Sequence, residues 1–274
     1  MPTTHAPPLS VAIICRDSER TIARTIESVQ GLARQVVAVD SGSTDRTRDI
    51  LRGAGAEVIE HDWLGFGPQK NLAMAQCREP WTLFLDSDES VEPALAESIR
   101  AALACDDPGV LGYLVNRKVV LAGRLLEHAW QPERRLRLVR TGWARWSDAR
   151  VHESLDPLPE RRAARIATLR GDLRHDAIGS ITDHLARQAE YARLAALDAR
   201  EVGRVGSVRA LVGSPIAAWG KQMIVRRAFL DGWRGWAAGS ISAAASMMKH
   251  LAILDATRVE GHRPPDGERG ARDG

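Results

Sequence analysis

Cysteine is scarce in this chain of 274 residues. Cys15, Cys77 and Cys105 are scattered and odd in number. They offer neither a zinc-binding spacing nor a redox pair, which excludes a disulfide scaffold and points to reduced thiols in a cytosol. A strong excess of either charge is missing too. The formal net charge is +3, so a nucleic-acid partner is not expected. No apolar run approaches the roughly 20 residues a membrane span needs. The longest uncharged stretch near the C-terminus, Gly235–Met248, is short and rich in Ala, Ser and Gly. Residues 1–9 lack a basic start followed by an apolar run, so no signal peptide is expected and the sequence reads as cytoplasmic. There is no G-x-G-x-x-G after the first strand and no G-x-x-x-x-G-K-[ST] anywhere, so dinucleotide-binding and P-loop readings lose their main support. Lysine is nearly absent, with four residues against 34 arginines, and eight of the thirteen aromatics are Trp.

What is present is an ordinary soluble composition, 44% hydrophobic and 27% charged. The first third alternates short apolar bursts with helical patterns. Strands are predicted at 9–14, 35–39, 57–60 and 81–85. Helices are predicted from about Ser18 to Val29, Thr44 to Arg52, Pro68 to Gln76 and Pro93 to Leu103. Such alternation predicts an α/β domain with a mostly parallel sheet and helices on both faces. From about 110 to 180 two further strands, 110–115 and 136–139, are separated by irregular polar sequence. Residues 117–170 carry 13 basic and 6 acidic residues, a local excess that the whole-chain average conceals. From Ile181 the pattern is helical, and Trp233, Trp236, Ala237, Ser240, Ile241, Ala244, Met248 and Leu251 form one stripe at three- and four-residue spacing. The expected organisation is 1–110 and 111–180 as the two halves of one domain, 181–262 as a helical extension, and 263–274 as a disordered tail.

The sharpest chemical signal is Leu-Phe-Leu-Asp86-Ser87-Asp88-Glu89. An apolar strand delivers two carboxylates to its C-terminal end, the edge at which open parallel sheets bind ligands. Crowded carboxylates repel one another unless a cation sits between them, and a divalent ion with oxygen ligands would also take up phosphate oxygens. The plainer alternative is a solvated turn before the next helix. Asp40 ends the second strand in the same way and leads into Ser-Gly-Ser-Thr-Asp45, where Ser43 or Asp45 suits a helix N-cap.

These motifs together, with Gly65-Phe-Gly-Pro-Gln-Lys-Asn71 between them, resemble family 2 inverting glycosyltransferases of the GT-A fold. The later Val151-His152-Glu153 and Arg174-His175 narrow the resemblance to the lipopolysaccharide core β-1,4-glucosyltransferases, over about residues 9–255. The resemblance implies that 1–110 is the nucleotide-sugar-binding half and 111–180 the acceptor-binding half, that Asp40 contacts the nucleotide base and that Lys70 faces the nucleotide or its phosphates. It implies that Asp86 and Asp88 bind ribose and a Mg or Mn ion, with His175 as a third ligand or phosphate contact. Inverting transfer needs a carboxylate to take the acceptor hydroxyl proton. The family commonly supplies it from a Glu-Asp pair well downstream of D-x-D. This chain has no such pair there, and Glu153, 65 positions after Asp88, is the expected base. His152 and Trp130 are expected on the acceptor side, where an indole face stacks well on a pyranose. Glu89 is read either as a support for the metal or as the start of the next helix.

The implied reaction moves a sugar, glucose from UDP-glucose, to a lipid-linked phosphorylated glycan at the inner face of the plasma membrane. Lys221, Arg226 and Arg227 beside Trp219, Phe229, Trp233 and Trp236 suit an interfacial helix, and equally a helical cap or a dimer contact. Two rival readings are a metal-dependent nucleotidyltransferase and a catalytically dead membrane-surface binding protein.

Overall fold

Strand β1 (Leu9–Cys15) is buried along its whole length. It pairs in parallel with β2 (Gln35–Asp40) on one side and β4 (Trp81–Asp86) on the other. A strand covered on both faces must be apolar throughout rather than alternating, which is why LSVAIIC reads as a continuous run. The computed structural model describes residues 6–149, 153–159 and 165–259. The described residues divide into two units, one of 6–120 with 132–177 and the other of 121–131 with 178–259.

In the first unit the sheet runs β3 (Glu57–Glu60), β2, β1, β4, β8 (Arg134–Arg140), β6 (Val110–Leu121), β11 (Arg165–His175), β5 (Glu89–Val91). The first four are parallel, as the α/β pattern predicts. The sheet then turns mixed: β8 is antiparallel to both β4 and β6, β11 is parallel to β6, and β5 is antiparallel to β11. Side chains of successive residues point to opposite faces. Leu9, Val11 and Ile13 therefore pack with Ile22 and Ile26 of α1 (Ile22–Glu27) and Leu95 and Ile99 of α4 (Pro93–Cys105). Ala12, Val39 and Phe84 face the other way, with Ala73 of α3 (Phe66–Ala75) and Trp143 and Trp146. Each fully buried large apolar side chain contributes about 1.5–3 kcal/mol. Helix α2 (Thr47–Gly53) starts later than predicted: its N-cap position is Arg46, and Asp45 just before it accepts from the backbone N–H and hydroxyl of Thr47, holding the turn that leads in. A two-stranded ribbon, β9 (Ala144–Trp146) with β10 (Leu155–Pro157), completes this unit.

Parallel register fixes the edge that matters. Cys15 lies opposite Asp40, and Ile14 opposite Asp86. The D-x-D segment is followed directly by β5, whose pairing sets Glu89 against His175 and Val91 against Leu173. That pairing brings a residue from the far end of the unit to the sheet edge. Gly171, in the irregular stretch of β11, has φ +85, and a Cβ there would overlap the backbone of Ala94 and Leu95.

The second unit holds α5 (Ile181–Glu201), α6 (Val208–Gly220), α7 (Trp233–Leu254) and the short β7 (Arg124–Leu125). Residues 121–131, read from sequence as part of the acceptor half, group here for a visible reason. Asp231 accepts hydrogen bonds from the backbone N–H groups of Glu127, His128 and Ala129. Trp130, at φ +59, donates its backbone N–H to Gln222 and its indole N–H to Ser242. The stripe predicted on α7 divides. Ile241 is buried, but Trp233, Trp236 and Leu251 are exposed, and the packed face consists mainly of Gly235, Ala238 and Gly239. Small residues let helices approach closely: a Cβ on Gly235 would overlap the Ala228 carbonyl.

Candidate active site

The Gly65–Asn71 motif is accounted for atom by atom. Gly65, at φ +104, precedes α3. Gly67 lies so close to Ser147 that a Cβ would collide with its carbonyl oxygen. Gln69, buried, donates to Ser41 and accepts from the Leu64 N–H. Asn71 clamps Trp146 in both directions, donating to its carbonyl and accepting from its N–H, each at 2.9 Å. Helix α3 is thereby locked against β9, and Lys70 is carried to the edge of the sheet.

Lys70 is 4% exposed. Its Nζ lies 2.8 Å from Asp86 Oδ1 and 2.7 Å from Glu153 Oε1, and 4.4 Å from the centre of the Trp146 ring. Two carboxylates far apart in sequence thus share one ammonium. Glu153 is brought there by the β9–β10 ribbon, closed by the Ser147 N–H on the Ser154 carbonyl. On the opposite side of Asp86, Arg137 donates from Nη2 to Asp86 Oδ2 at 2.9 Å and to Glu89 Oε1 at 2.6 Å. Glu89 is fully buried and also accepts from Arg117, which pairs with Glu133. The reading of Glu89 as the start of the next helix fails, because that helix begins only at Pro93; Glu89 instead anchors two arginines.

The electrostatics follow from the contacts. Burial works against ionisation of Asp86, but Arg137 and Lys70 outweigh it and hold the group far below the usual carboxylate range. Burial would lower His175, yet the carboxylate of Asp88 beside it raises it above the ordinary histidine value. Its Nε2 is 3.5 Å from Asp88 Oδ1. Three buried polar atoms around these groups have no hydrogen-bond partner among the described residues: Arg137 Nε, Trp146 Nε1 and His175 Nδ1. Buried polar atoms are ordinarily satisfied, so such a cluster marks a place suited to a polar ligand.

The family description "Glycosyl transferase family 2" matches residues 10–145. The lipopolysaccharide core biosynthesis glycosyltransferase LpsC of Rhizobium meliloti is 30% identical, covering 92% of this chain and 92% of its own. This chain belongs to glycosyl transferase family 2. An uncharacterized glycosyltransferase of Rickettsia typhi is 27% identical over 88% of this chain and 85% of its own. A crystal structure of S. aureus TarS 1–349 is 16% identical, with a TM-score of 0.47, covering 94% of this chain and 93% of that one.

Within this family 2 glycosyltransferase the sequence-predicted residues fall into three groups. Lys70, Asp86, Glu153, Asp88 and His175 come together at the ends of β4, β5 and β11. Asp40 stands at the neighbouring strand end, fully buried. Its Oδ1 accepts from the N–H groups of Gly42 and Ser43, and its Oδ2 from the Ser43 hydroxyl. A direct contact with a nucleotide base would require that turn to open, so the side chain serves the loop. Trp130 belongs to the second unit, and His152 lies outside the described residues. Sequence reasoning missed Arg137, Arg117 and the buried role of Glu89, because lone arginines on a strand carry no motif.

A divalent cation was expected here. Among the described residues no three His, Cys, Asp or Glu side chains converge as a complete cage. Asp88 Oδ1 and His175 Nε2, 3.5 Å apart, are long for a hydrogen bond and suit two donors facing one ion. Magnesium is ordinarily held by one or two carboxylates with phosphate oxygens and water completing its shell, and Asp88 is the carboxylate placed to serve such an ion here.

Proposed function

We propose that this family 2 glycosyltransferase transfers a sugar with inversion, glucose from UDP-glucose, onto a lipid-linked glycan of the lipopolysaccharide core kind at the inner face of the plasma membrane. The observation that carries the reading is the single Lys70 ammonium joining Glu153 to Asp86. It sets a candidate base beside the carboxylates that would hold the donor. Similarity to LpsC along nearly the whole chain supports the acceptor class.

In this reading Asp86 meets the donor ribose, and Asp88 and His175 hold a Mg or Mn ion. When bound, that ion neutralises charge on the departing diphosphate. Glu153, fixed by Lys70, takes the proton of the acceptor hydroxyl as its oxygen attacks the anomeric carbon. Arg137 and Glu89 keep Asp86 ionised and oriented. Asp40 holds the Ser41–Asp45 turn that lines the nucleotide side, and Trp130 and His152 are assigned to the acceptor. Metal-dependent release of UDP from UDP-glucose on addition of acceptor tests the reaction. Release of pyrophosphate from UTP, with no UDP from any nucleotide sugar, would replace it with nucleotidyl transfer.

A further inference from the structure

Helix α6 is apolar on the side it shows to water. Val208, Val212 and Ile216, spaced four apart, are all exposed, Ile216 at 67%, and no residue of the helix is fully buried. A soluble helix normally presents a polar face outward, and one that is apolar all round is covered by something. The exposed apolar surface continues past the helix end, where Ile224 and Val225 in the turn after Lys221 are 76% and 74% exposed. The charge on this stretch is one-sided. Between Val202 and Leu230 there are five basic residues and no acidic one. The side chains of Arg209, Lys221, Arg226 and Arg227 make no ion pair or hydrogen bond among the described residues.

We propose that this face of the second unit, α6 and the turn running to Leu230, rests on an anionic phospholipid surface. Exposed aliphatic side chains enter the headgroup boundary, and the unpaired cations meet the lipid phosphates. No helix among the described residues is long and apolar enough to cross a membrane, so the contact is interfacial. A second copy of the chain is the poorer occupant, because a two-fold contact would set this cationic face against itself. The inference rests on the lipid-linked acceptor only for its purpose. Vesicle binding without donor or acceptor tests the surface, and UDP release tests that reading.

The full chain is mixed with vesicles of phosphatidylcholine alone, or of phosphatidylcholine with phosphatidylglycerol, and the bound fraction is measured by flotation. Binding to the anionic vesicles is expected, at least tenfold tighter than to the neutral ones. Ile216→Glu with Val212→Glu is expected to weaken it at least tenfold while the far-ultraviolet helix signal is unchanged, since both sites already face water. Should that variant misfold, Lys221→Gln with Arg226→Gln and Arg227→Gln gives an independent test and is expected to abolish the preference for phosphatidylglycerol. Failure to float with either vesicle, equal binding to both, or binding that survives both variants overturns the proposal. So does a concentration-dependent dimer that Ile216→Glu disrupts while vesicle binding persists.

Discussion

Glu153 and Lys70 are where a change of a few atoms is most informative. Glu153→Gln keeps size and shape but removes the basicity that proton abstraction needs. General-base catalysis contributes about a hundred- to ten-thousandfold, so turnover falls by that factor while calorimetric affinity for UDP-glucose is retained. If affinity is lost as well, Glu153 is a donor contact rather than the base. Arg137→Met tests the other side of Asp86. It strips one of the two arginine partners from buried Glu89 and one partner from Asp86, and breaking a buried pair in this way costs about 3–5 kcal/mol. A urea-unfolding midpoint within error of the parent would show that Arg117 alone neutralises Glu89. None of this pairing is visible in sequence. D-x-D can be read because two carboxylates at a strand end are unusual, but the Lys70–Glu153 contact spans 83 positions and depends on where the β9–β10 ribbon folds back.

At the scale of elements, the parallel strands and their helices were legible because buried strands and amphipathic helices have distinct periods. Strand β11 was not. RIATLRGDLRH is rich in arginine, interrupted by Gly171 and largely exposed on alternate positions, so it lacks an apolar signature, yet its pairing with β5 delivers His175. The contact of α3 with β9 can be broken by one methyl group. Gly67→Ala forces the Cβ into the Ser147 carbonyl, so α3 or the ribbon must shift and the Lys70 bridge loosens. We expect at least a tenfold loss in kcat with the helix signal intact, measured by UDP release and circular dichroism. In the second unit, Asp231 holds the 127–129 loop. Burial alone would raise its carboxyl, but the N–H groups of Ala129 and His128, the His128 ring and the N–H of Glu127 together hold it below the usual range. A folded value below the unfolded one, about 3.9, contributes stability that is complete above that value and is lost as pH falls through the folded value. Asp231→Asn should therefore cost about 1–3 kcal/mol at neutral pH. The gap between variant and parent should close as the parent is titrated into acid, and a gap independent of pH would assign the effect to packing.

For the whole molecule, the near-neutral average conceals two different distributions of positive charge. The basic excess in 117–170 falls within the half expected to bind the acceptor, and the fold pairs part of it with acids from elsewhere in the chain. Arg117 and Arg137 bind Glu89, Lys118 binds Asp172, Arg140 binds Asp106 and Arg165 binds Asp107, all acids from outside that segment. Four outside acids thus offset part of the seven-charge excess of the segment. Four cations without such partners among the described residues, Arg209, Lys221, Arg226 and Arg227, lie between Val202 and Leu230, a stretch with no acidic residue whose net charge no composition figure singles out. Salt separates the two cases. The Glu89 pairs beside the site are buried and screened little, whereas attraction to a charged surface weakens as the Debye length falls from about 10 Å at 0.1 M to about 3 Å at 1 M. Turnover with a water-soluble acceptor analogue is therefore expected to change less than twofold between these salt concentrations. Turnover with acceptor displayed on phosphatidylglycerol-containing vesicles should fall at least tenfold, through a rise in apparent KM at constant kcat. Equal salt dependence with both acceptors would locate the salt-sensitive charge at the active site and remove the membrane surface from the kinetics.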